Sequence, residues 1–263
     1  MSILAVIPAR LGATRLPRKP LRDLGGAPLV LRVLERVQSL GLADHVVVAT
    51  EAEEVAAVVR AAGGDALITS DAHLSGTDRV AEVAAHADYA AHDIVVNVQG
   101  DEPFMRADAM AGAIAMVRDH GFPLGTAAGK RGPGVMDDPN SVKVVRADDG
   151  RALYFSRAPI PFLRDAADAS VRDELVLQHM GIYACRREAL RRWVSLPPHP
   201  LELVEKLEQL RALADGLAMG VAIVEAPSWG EVNTEEDLRR ANAHFLGASR
   251  EHNQPTATTP SIR

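Results

Sequence analysis

Four cations crowd one short stretch near the start of the chain. Arg10, Arg15, Arg18 and Lys19 lie in Pro8-Ala9-Arg10-Leu11-Gly12-Ala13-Thr14-Arg15-Leu16-Pro17-Arg18-Lys19-Pro20, around Gly12 and with Pro17 and Pro20 limiting its freedom. Guanidinium forks combined with an ammonium point charge suit a polyphosphate. Only four lysines, Lys19, Lys130, Lys143 and Lys206, stand among the 29 basic residues, so a lysine in this loop is read as a compact charge kept for its own sake. Taken alone, the run also fits a solvated basic loop. It is neither a Walker A loop nor a GxGxxG fingerprint, which weighs against P-loop hydrolysis and Rossmann redox chemistry.

Four further stretches carry groups of chemical interest. Asn97-Val98-Gln99-Gly100-Asp101-Glu102-Pro103 sets a carboxylate, Asp101, at the exit of an apolar run. Such a group suits Mg²⁺ beside phosphates, since magnesium takes one or two carboxylates and fills its shell with water and substrate oxygens. A turn-forming Gly-Asp is the plainer reading. Ser75-Gly76-Thr77-Asp78-Arg79 opens a helical stretch, where hydroxyls and free N–H groups face an anion or a base edge, or simply cap the helix. In His179-Met180-Gly181-Ile182-Tyr183, strand alternation puts His179, Gly181 and Tyr183 on one face. Glu202, Glu205, Glu208, Gln209 and Arg211 share one helical stretch and, by spacing alone, form a solvated face with internal ion pairs.

Composition bounds the function classes. The chain has 263 residues, 47% apolar and 24% charged, the balance of an ordinary globular protein. Its formal net charge of −6 and only ten aromatic side chains argue against a nucleic-acid partner, while leaving room for a local anion pocket. Cys185 is the one cysteine, which excludes an internal disulfide and a cysteine-rich zinc site. The opening apolar run is short and has no basic stretch before it, and no later run reaches membrane-spanning length. A cytoplasmic enzyme or binding protein, with no membrane partner, is the expected class.

The elements that must position these groups alternate. Residues 3–9 read as a buried strand, Leu29–Leu40 as a helix ended by Gly41, and His45–Thr50 as a second strand. A helix over 51–62, a strand over 66–69, a helix over 77–89 and a strand over 93–98 follow. This order implies an α/β fold with a doubly wound, mostly parallel sheet and right-handed crossovers, whose ligands sit at the carboxyl ends of the strands. After about residue 124 the rhythm changes: 142–146, 153–156 and 180–185 read as strands, 201–214 as one helix, 219–225 as a strand, and 234–245 as a last helix capped by Thr234. A single domain over 1–246 is expected, and the polar stretch 247–263 reads as a disordered tail.

Taken in order, VIPARLGATRLPRKPL, VVVATE, SGTDR, VNVQGDEP, NSVKVV, ALYFSRAPIP, HMGIYACR and ELVEKLEQLRAL make the chain resemble the 3-deoxy-manno-octulosonate (Kdo) cytidylyltransferases from about residue 3 to residue 245. The basic N-terminal loop is shared with other sugar nucleotidyltransferases; the YFSRAPIP, HMGIY and LEQLR segments narrow the likeness to Kdo. The resemblance implies a nucleotide-diphospho-sugar transferase-like sheet and a smaller part for dimer and sugar contacts within about 124–215. It implies CTP and Kdo as substrates, CMP-Kdo and pyrophosphate as products for lipopolysaccharide assembly, a Mg²⁺ requirement and a homodimer. By resemblance, Arg10 and Lys19 neutralise the CTP phosphates with help from Arg15. Ser75, Gly76 and Thr77 form part of the cytosine and ribose site. Gln99, His179, Tyr183, Glu208 and Gln209 contact Kdo, with Arg79 as a further partner of the acid sugar, and Asp101 is a magnesium ligand. No protein general base is evident.

One position departs from the family. Its Val-Asp-Thr-x-Glu-Asp-Leu segment, whose first aspartate is a second magnesium ligand, here reads Val232-Asn233-Thr234-Glu235-Glu236-Asp237-Leu238. Asn233 keeps an oxygen donor and loses a charge, so weaker Mg²⁺ binding is expected there, or a contribution from nearby Glu231. Two other functions stay open on these residues: a cytidylyltransferase for a Kdo analogue or another nonulosonic acid, and a non-catalytic nucleotide-binding protein.

Overall fold

The computed structural model describes residues 1–12, 15–73, 75–225 and 229–252, with side chains through residue 247. Strand β1 (Ile3–Pro8) feeds the basic loop, and a small hairpin of β2 (Asp23–Leu24) and β3 (Ala27–Pro28) returns the chain to α1 (Leu29–Leu40). α1 buries Val30, Val33, Leu34 and Val37 and stops at Gly41, whose φ of 63° is the left-handed conformation that glycine adopts without a Cβ penalty. Alternation continues through β4 (His45–Thr50), α2 (Glu53–Ala61), β5 (Asp65–Ile68), α3 (Gly76–Ala85) and β6 (Ile94–Asn97). Then come α4 (Ala107–Arg118), β7 (Leu124–Lys130), β8 (Lys143–Arg146), β9 (Ala152–Ser156) and α5 (Ala169–Glu174). β10 (Leu177–Arg186), α6 (Arg187–Ser195), α7 (Pro200–Glu205), α8 (Gln209–Ala214), β11 (Met219–Val224) and α9 (Glu235–His252) complete the order.

The strands make a sheet in the order β11-β7-β10-β6-β1-β4-β5, with the β8–β9 hairpin joined to β10. β1 is parallel to β4 and β6, β4 to β5, and β11 to β7; β10 alone runs against both its neighbours on this path. Both faces are covered. Along β1, Ile3, Ala5 and Ile7 join one core with Val33 of α1, Val55 of α2 and Ile114 of α4. Leu4 and Val6 join the other with Val83 of α3, Trp193 of α6 and Leu210 of α8. A strand buried on both faces reads as a continuous apolar run, as β1 does.

The winding reverses at β1: the chain moves outward to β4 and β5, then crosses back to place β6 on the other side of β1. A crevice opens at such a switch point beyond the strand ends, and here the loops after β1 and β6 meet there. They touch so closely that a Cβ on Gly100 would stand 2.4 Å from the Pro8 carbonyl oxygen. Only glycine fits that approach.

Three expectations need correction. The helix expected over 201–214 is two helices, because Lys206 turns left-handed (φ 55°) between α7 and α8. The supposed apolar face splits with it, since Leu207 and Leu210 are buried while Leu203 is 52% exposed. The helix expected over 77–89 ends at Ala85 and gives way to a single 3₁₀ turn at Ala87–Tyr89. The stretch 247–263 is not wholly disordered, for α9 runs on to His252; 253–263 lie outside the described residues. Thr234 does cap α9, its Oγ1 accepting the Asp237 N–H at 3.1 Å while Asp237 accepts the Thr234 N–H at 2.9 Å.

Candidate active site

The loop after β1 and the loop after β6 build the basic end of the crevice, a cavity of about 330 Å³. Arg10, Arg15 and Lys19 line it together with Asp101 and Asn233. Arg18, the fourth cation of the loop, turns away, paired on the surface with Glu54 at 2.6 Å. Lys19 sits at the centre: its Nζ donates to Asp101 Oδ2 at 2.6 Å and to Asn233 Oδ1 at 3.0 Å. The backbone fixes that convergence, because the Val232 N–H donates to the Asp101 carbonyl at 2.9 Å. Among the described residues neither Arg10 nor Arg15 makes an ion pair, so both guanidinium groups stand ready for an anion.

Negative charge gathers below these cations. Asn233 Nδ2 donates to Glu231 Oε2 at 2.6 Å. Burial and the Asp101 carboxylate push the Glu231 carboxyl above the usual range, opposed by Asn233, Lys19 and Arg15. Glu102, 4% exposed, is pushed well up by burial and by Glu231 and Asp101. Two oxygens from separate loops, Asp101 Oδ2 and Asn233 Oδ1, therefore face a single cation. They are hard donors suited to magnesium. Among the described residues no three His, Cys, Asp or Glu side chains form a metal cluster.

Where α3 begins, Ser75 forms a capping box with Asp78, accepting its N–H at 3.1 Å, and lines the crevice beside Gly76. Thr77, grouped with them by resemblance, lies apart from the crevice lining. It is 1% exposed, and its Oγ1 donates to Glu208 Oε1 at 2.8 Å. Arg79 is likewise placed elsewhere than beside the acid sugar's residues. It is 4% exposed, bonded to Thr69 and 3.0 Å from Glu51 Oε2, and it lines the basic cavity near His73.

A second cavity, of about 640 Å³, opens beside the first, and Arg10, Ser75, Gly76, Gln99 and Glu231 line both. His179, Tyr183, Glu208 and Gln209 meet there. β10 is bulged between Met180 and Tyr183: Met180 pairs with Ala127, yet Thr126 pairs with Tyr183 where a regular ladder would put Gly181. The slip is two residues, so His179 and Tyr183 still share a face, their rings 5.5 Å apart. Gln99 Nε2 donates to the Gly181 carbonyl at 3.1 Å, which joins the β6 loop to this bulge.

Burial acts on two titratable side chains of the second cavity's wall. Burial pushes the His179 imidazole down to about 3, so it is uncharged near neutral pH, with Nε2 2.9 Å from Thr126 Oγ1. Burial raises the Glu208 carboxyl, and Thr77 and Ser75 oppose the rise. Among the described residues Glu208 Oε2 and Gln209 Nε2 are buried without a hydrogen-bond partner. Buried polar atoms left unpaired mark places where something else completes the bonding. Sequence reasoning missed two wall residues, Arg157 and Lys206. Arg157 stands inside the quoted ALYFSRAPIP segment, and no spacing rule singles it out.

Residues 4–221 match the family model described as Cytidylyltransferase. The 3-deoxy-manno-octulosonate cytidylyltransferase of Gemmatimonas aurantiaca is 58% identical over 93% of this chain and 95% of its own length. That of Yersinia pseudotuberculosis serotype O:1b is 43% identical over 94% and 99%. The structure of CMP:2-keto-3-deoxy-manno-octonic acid synthetase complexed with CTP superposes with a TM-score of 0.86 at 37% identity, covering 94% of this chain and 100% of that one. A 4-diphosphocytidyl-2C-methyl-D-erythritol synthase from Anaerococcus prevotii, 15% identical with a TM-score of 0.62 over 93% and 98% of the two chains, shares the fold.

Proposed function

The chain belongs to the 3-deoxy-manno-octulosonate cytidylyltransferase family, and from that premise we propose how its crevice performs the reaction CTP + Kdo → CMP-Kdo + pyrophosphate. The observation that carries the reading is the pair of adjoining cavities, one crowded with arginine and lysine and one lined by polar groups of both signs, sharing Arg10, Ser75 and Gln99 on their common wall. A triphosphate fits the first and a polyhydroxylated sugar the second. Their reacting atoms meet at the boundary. The anomeric hydroxyl of Kdo releases its proton to solvent as its oxygen forms a bond to the α-phosphorus, the bond from that phosphorus to the bridging oxygen breaks, and pyrophosphate leaves with the electron pair.

This transfer needs alignment and neutralised charge more than a covalent partner from the protein. Arg10 and Arg15, free of ion pairs, bind phosphate oxygens, and Lys19 adds its point charge from between Asp101 and Asn233. Glu208 and Gln209 orient the sugar through the two buried atoms that lack partners. Mg²⁺, when bound, supplies further charge neutralisation, and Asp101 and Asn233 are the residues that would hold it. The exchange of aspartate for Asn233 leaves one charge fewer there, so Asn233→Asp is expected to lower the Mg²⁺ concentration for half-maximal activity by about three- to tenfold. An unchanged Mg²⁺ titration counts against Asn233 as a ligand.

The same reading makes the protein a cytoplasmic homodimer serving lipopolysaccharide assembly. Leu153, Phe162, Val171 and Leu175, exposed within the segment given to dimer contacts, support the second copy. The decisive experiment mixes the purified protein with CTP, Mg²⁺ and Kdo and follows pyrophosphate promptly, with sialic acid and no sugar as controls. Release with Kdo alone is expected. Release with another nonulosonic acid instead would move the substrate, and CTP binding with no release under any sugar would overturn catalysis.

A further inference from the structure

Lys143 is fully buried, at 0% exposure, and among the described residues it makes no ion pair. Its Nζ donates to two backbone carbonyls, Asp138 at 3.0 Å and Arg157 at 2.5 Å. An ammonium is expensive to remove from water, and an apolar side chain of similar length would avoid that cost. The charge is therefore kept for what it holds. Those two carbonyls belong to separate segments, the turn before β8 and the residue at which the chain leaves β9.

Arg157 passes the constraint on. Its guanidinium donates through Nε to the Glu205 carbonyl at 2.7 Å, through Nη1 to the Pro139 carbonyl at 2.8 Å and through Nη2 to the Lys206 carbonyl at 3.4 Å. The Glu205 carboxylate answers, accepting the Arg157 N–H at 2.9 Å and the Ser156 hydroxyl at 2.6 Å. The carbonyls at 205 and 206 are the free ends left where α7 stops, and a guanidinium is a suitable cap for them. Between them lies the left-handed Lys206, a conformation that a non-glycine residue keeps only where its surroundings hold it. Immediately beyond it stand Glu208 and Gln209.

We propose that Lys143 is a positioning residue for the sugar site: by holding the Asp138 and Arg157 carbonyls it fixes the Lys206 turn that presents Glu208 and Gln209 to the second cavity. The role rests on the reading of that cavity as the Kdo site. Each nitrogen of the Arg157 guanidinium donates to a carbonyl, so its place on the cavity wall reflects this bracing.

Lys143→Met is the direct test, with Glu205→Gln cutting the same brace from its other end. Hydrogen–deuterium exchange of the free protein, well below its melting temperature, should rise over residues 200–211 in both variants and stay unchanged over residues 1–12. In turnover, the KM for Kdo should rise about tenfold while that for CTP is kept, since misplacing a positioning contact acts on the group it positions. The double variant should lose little more than either single one, as expected for parts of one brace. Wild-type exchange over 200–211 in both variants, or a KM increase shared by CTP, would overturn the proposal. If Lys143→Met does not fold, Glu205→Gln decides alone. Failure of the wild-type protein to use Kdo would remove the sugar reading, while the exchange measurement would still decide the bracing.

Discussion

Lys19→Met is expected to lower kcat/KM by about 10²- to 10³-fold, the usual loss when one preorganised charge donor is taken from a developing oxyanion. Three observations set that size. The ammonium stands 2.6 Å from Asp101 and 3.0 Å from Asn233, its side chain is only 18% exposed, and of the other cations on the cavity wall Arg79 is already paired with Glu51, which leaves Arg10 and Arg15. Methionine keeps the length of the stem and removes the charge, so the loop can keep its path between Pro17 and Pro20. A second readout separates this from simple loss of structure. In the free protein the ammonium occupies the two oxygens that suit a divalent cation, so its removal should tighten Mn²⁺ binding in the absence of nucleotide, followed by electron paramagnetic resonance. Loss of activity with unchanged or weaker Mn²⁺ binding would show that Lys19 and the cation do not share those oxygens. Lys19→Arg should recover part of the activity, because the charge returns in a broader, planar form that fits the narrow gap poorly.

Residue order made the N-terminal half of this fold legible. The apolar runs that become β1, β4 and β6 are buried on both faces, and Gly41 marks the end of α1. Their loops could therefore be assigned to the carboxyl edge of a parallel sheet before any coordinates. Other features were hidden for physical reasons. Gly112 sits inside the continuous α4 and faces Ala222 closely, a packing demand that weakens the helical signal of its Ala-rich sequence. The break at Lys206 has no glycine or proline to announce it; tertiary hydrogen bonds from Arg157 impose it. Resemblance groups Thr77 with Ser75 and Gly76, yet as the second residue of α3 its side chain turns inward to Glu208 while those two residues line the crevice. Spacing gives the face of an element and says little about which of two cavities that face meets, which is why Arg79 sits in the basic cavity among His73 and Lys19.

Glu208→Gln should separate stability from activity in opposite directions. The carboxyl is buried, its Oε1 takes the Thr77 hydroxyl, and among the described residues its Oε2 has no hydrogen-bond partner. Burial raises its pKa in the fold, with Asp78 adding to the rise and Thr77, Ser75 and Arg211 opposing it. A carboxyl raised in this way destabilises the fold above its folded pKa and not below its unfolded value of about 4.3. A neutral glutamine escapes that penalty. The variant is therefore expected to melt higher than the parent at neutral pH, with the gap closing as the pH falls towards 4. The sugar pays the opposite way: where the carboxylate offered an acceptor, the amide offers a donor, and a hydroxyl that bonded to Oε2 meets an N–H instead. Removing a buried charged acceptor should lower kcat/KM for Kdo by about 10²-fold. The KM for CTP should hold, because the basic cavity takes nothing from Glu208 beyond its contact with Ser75. A variant that melts higher and still uses Kdo at the parent's rate would leave Glu208 as a prop for Thr77 and take the unpaired oxygen out of sugar recognition. A variant that loses both substrates together would show instead that the two cavities are one site, coupled through Ser75 and Gln99.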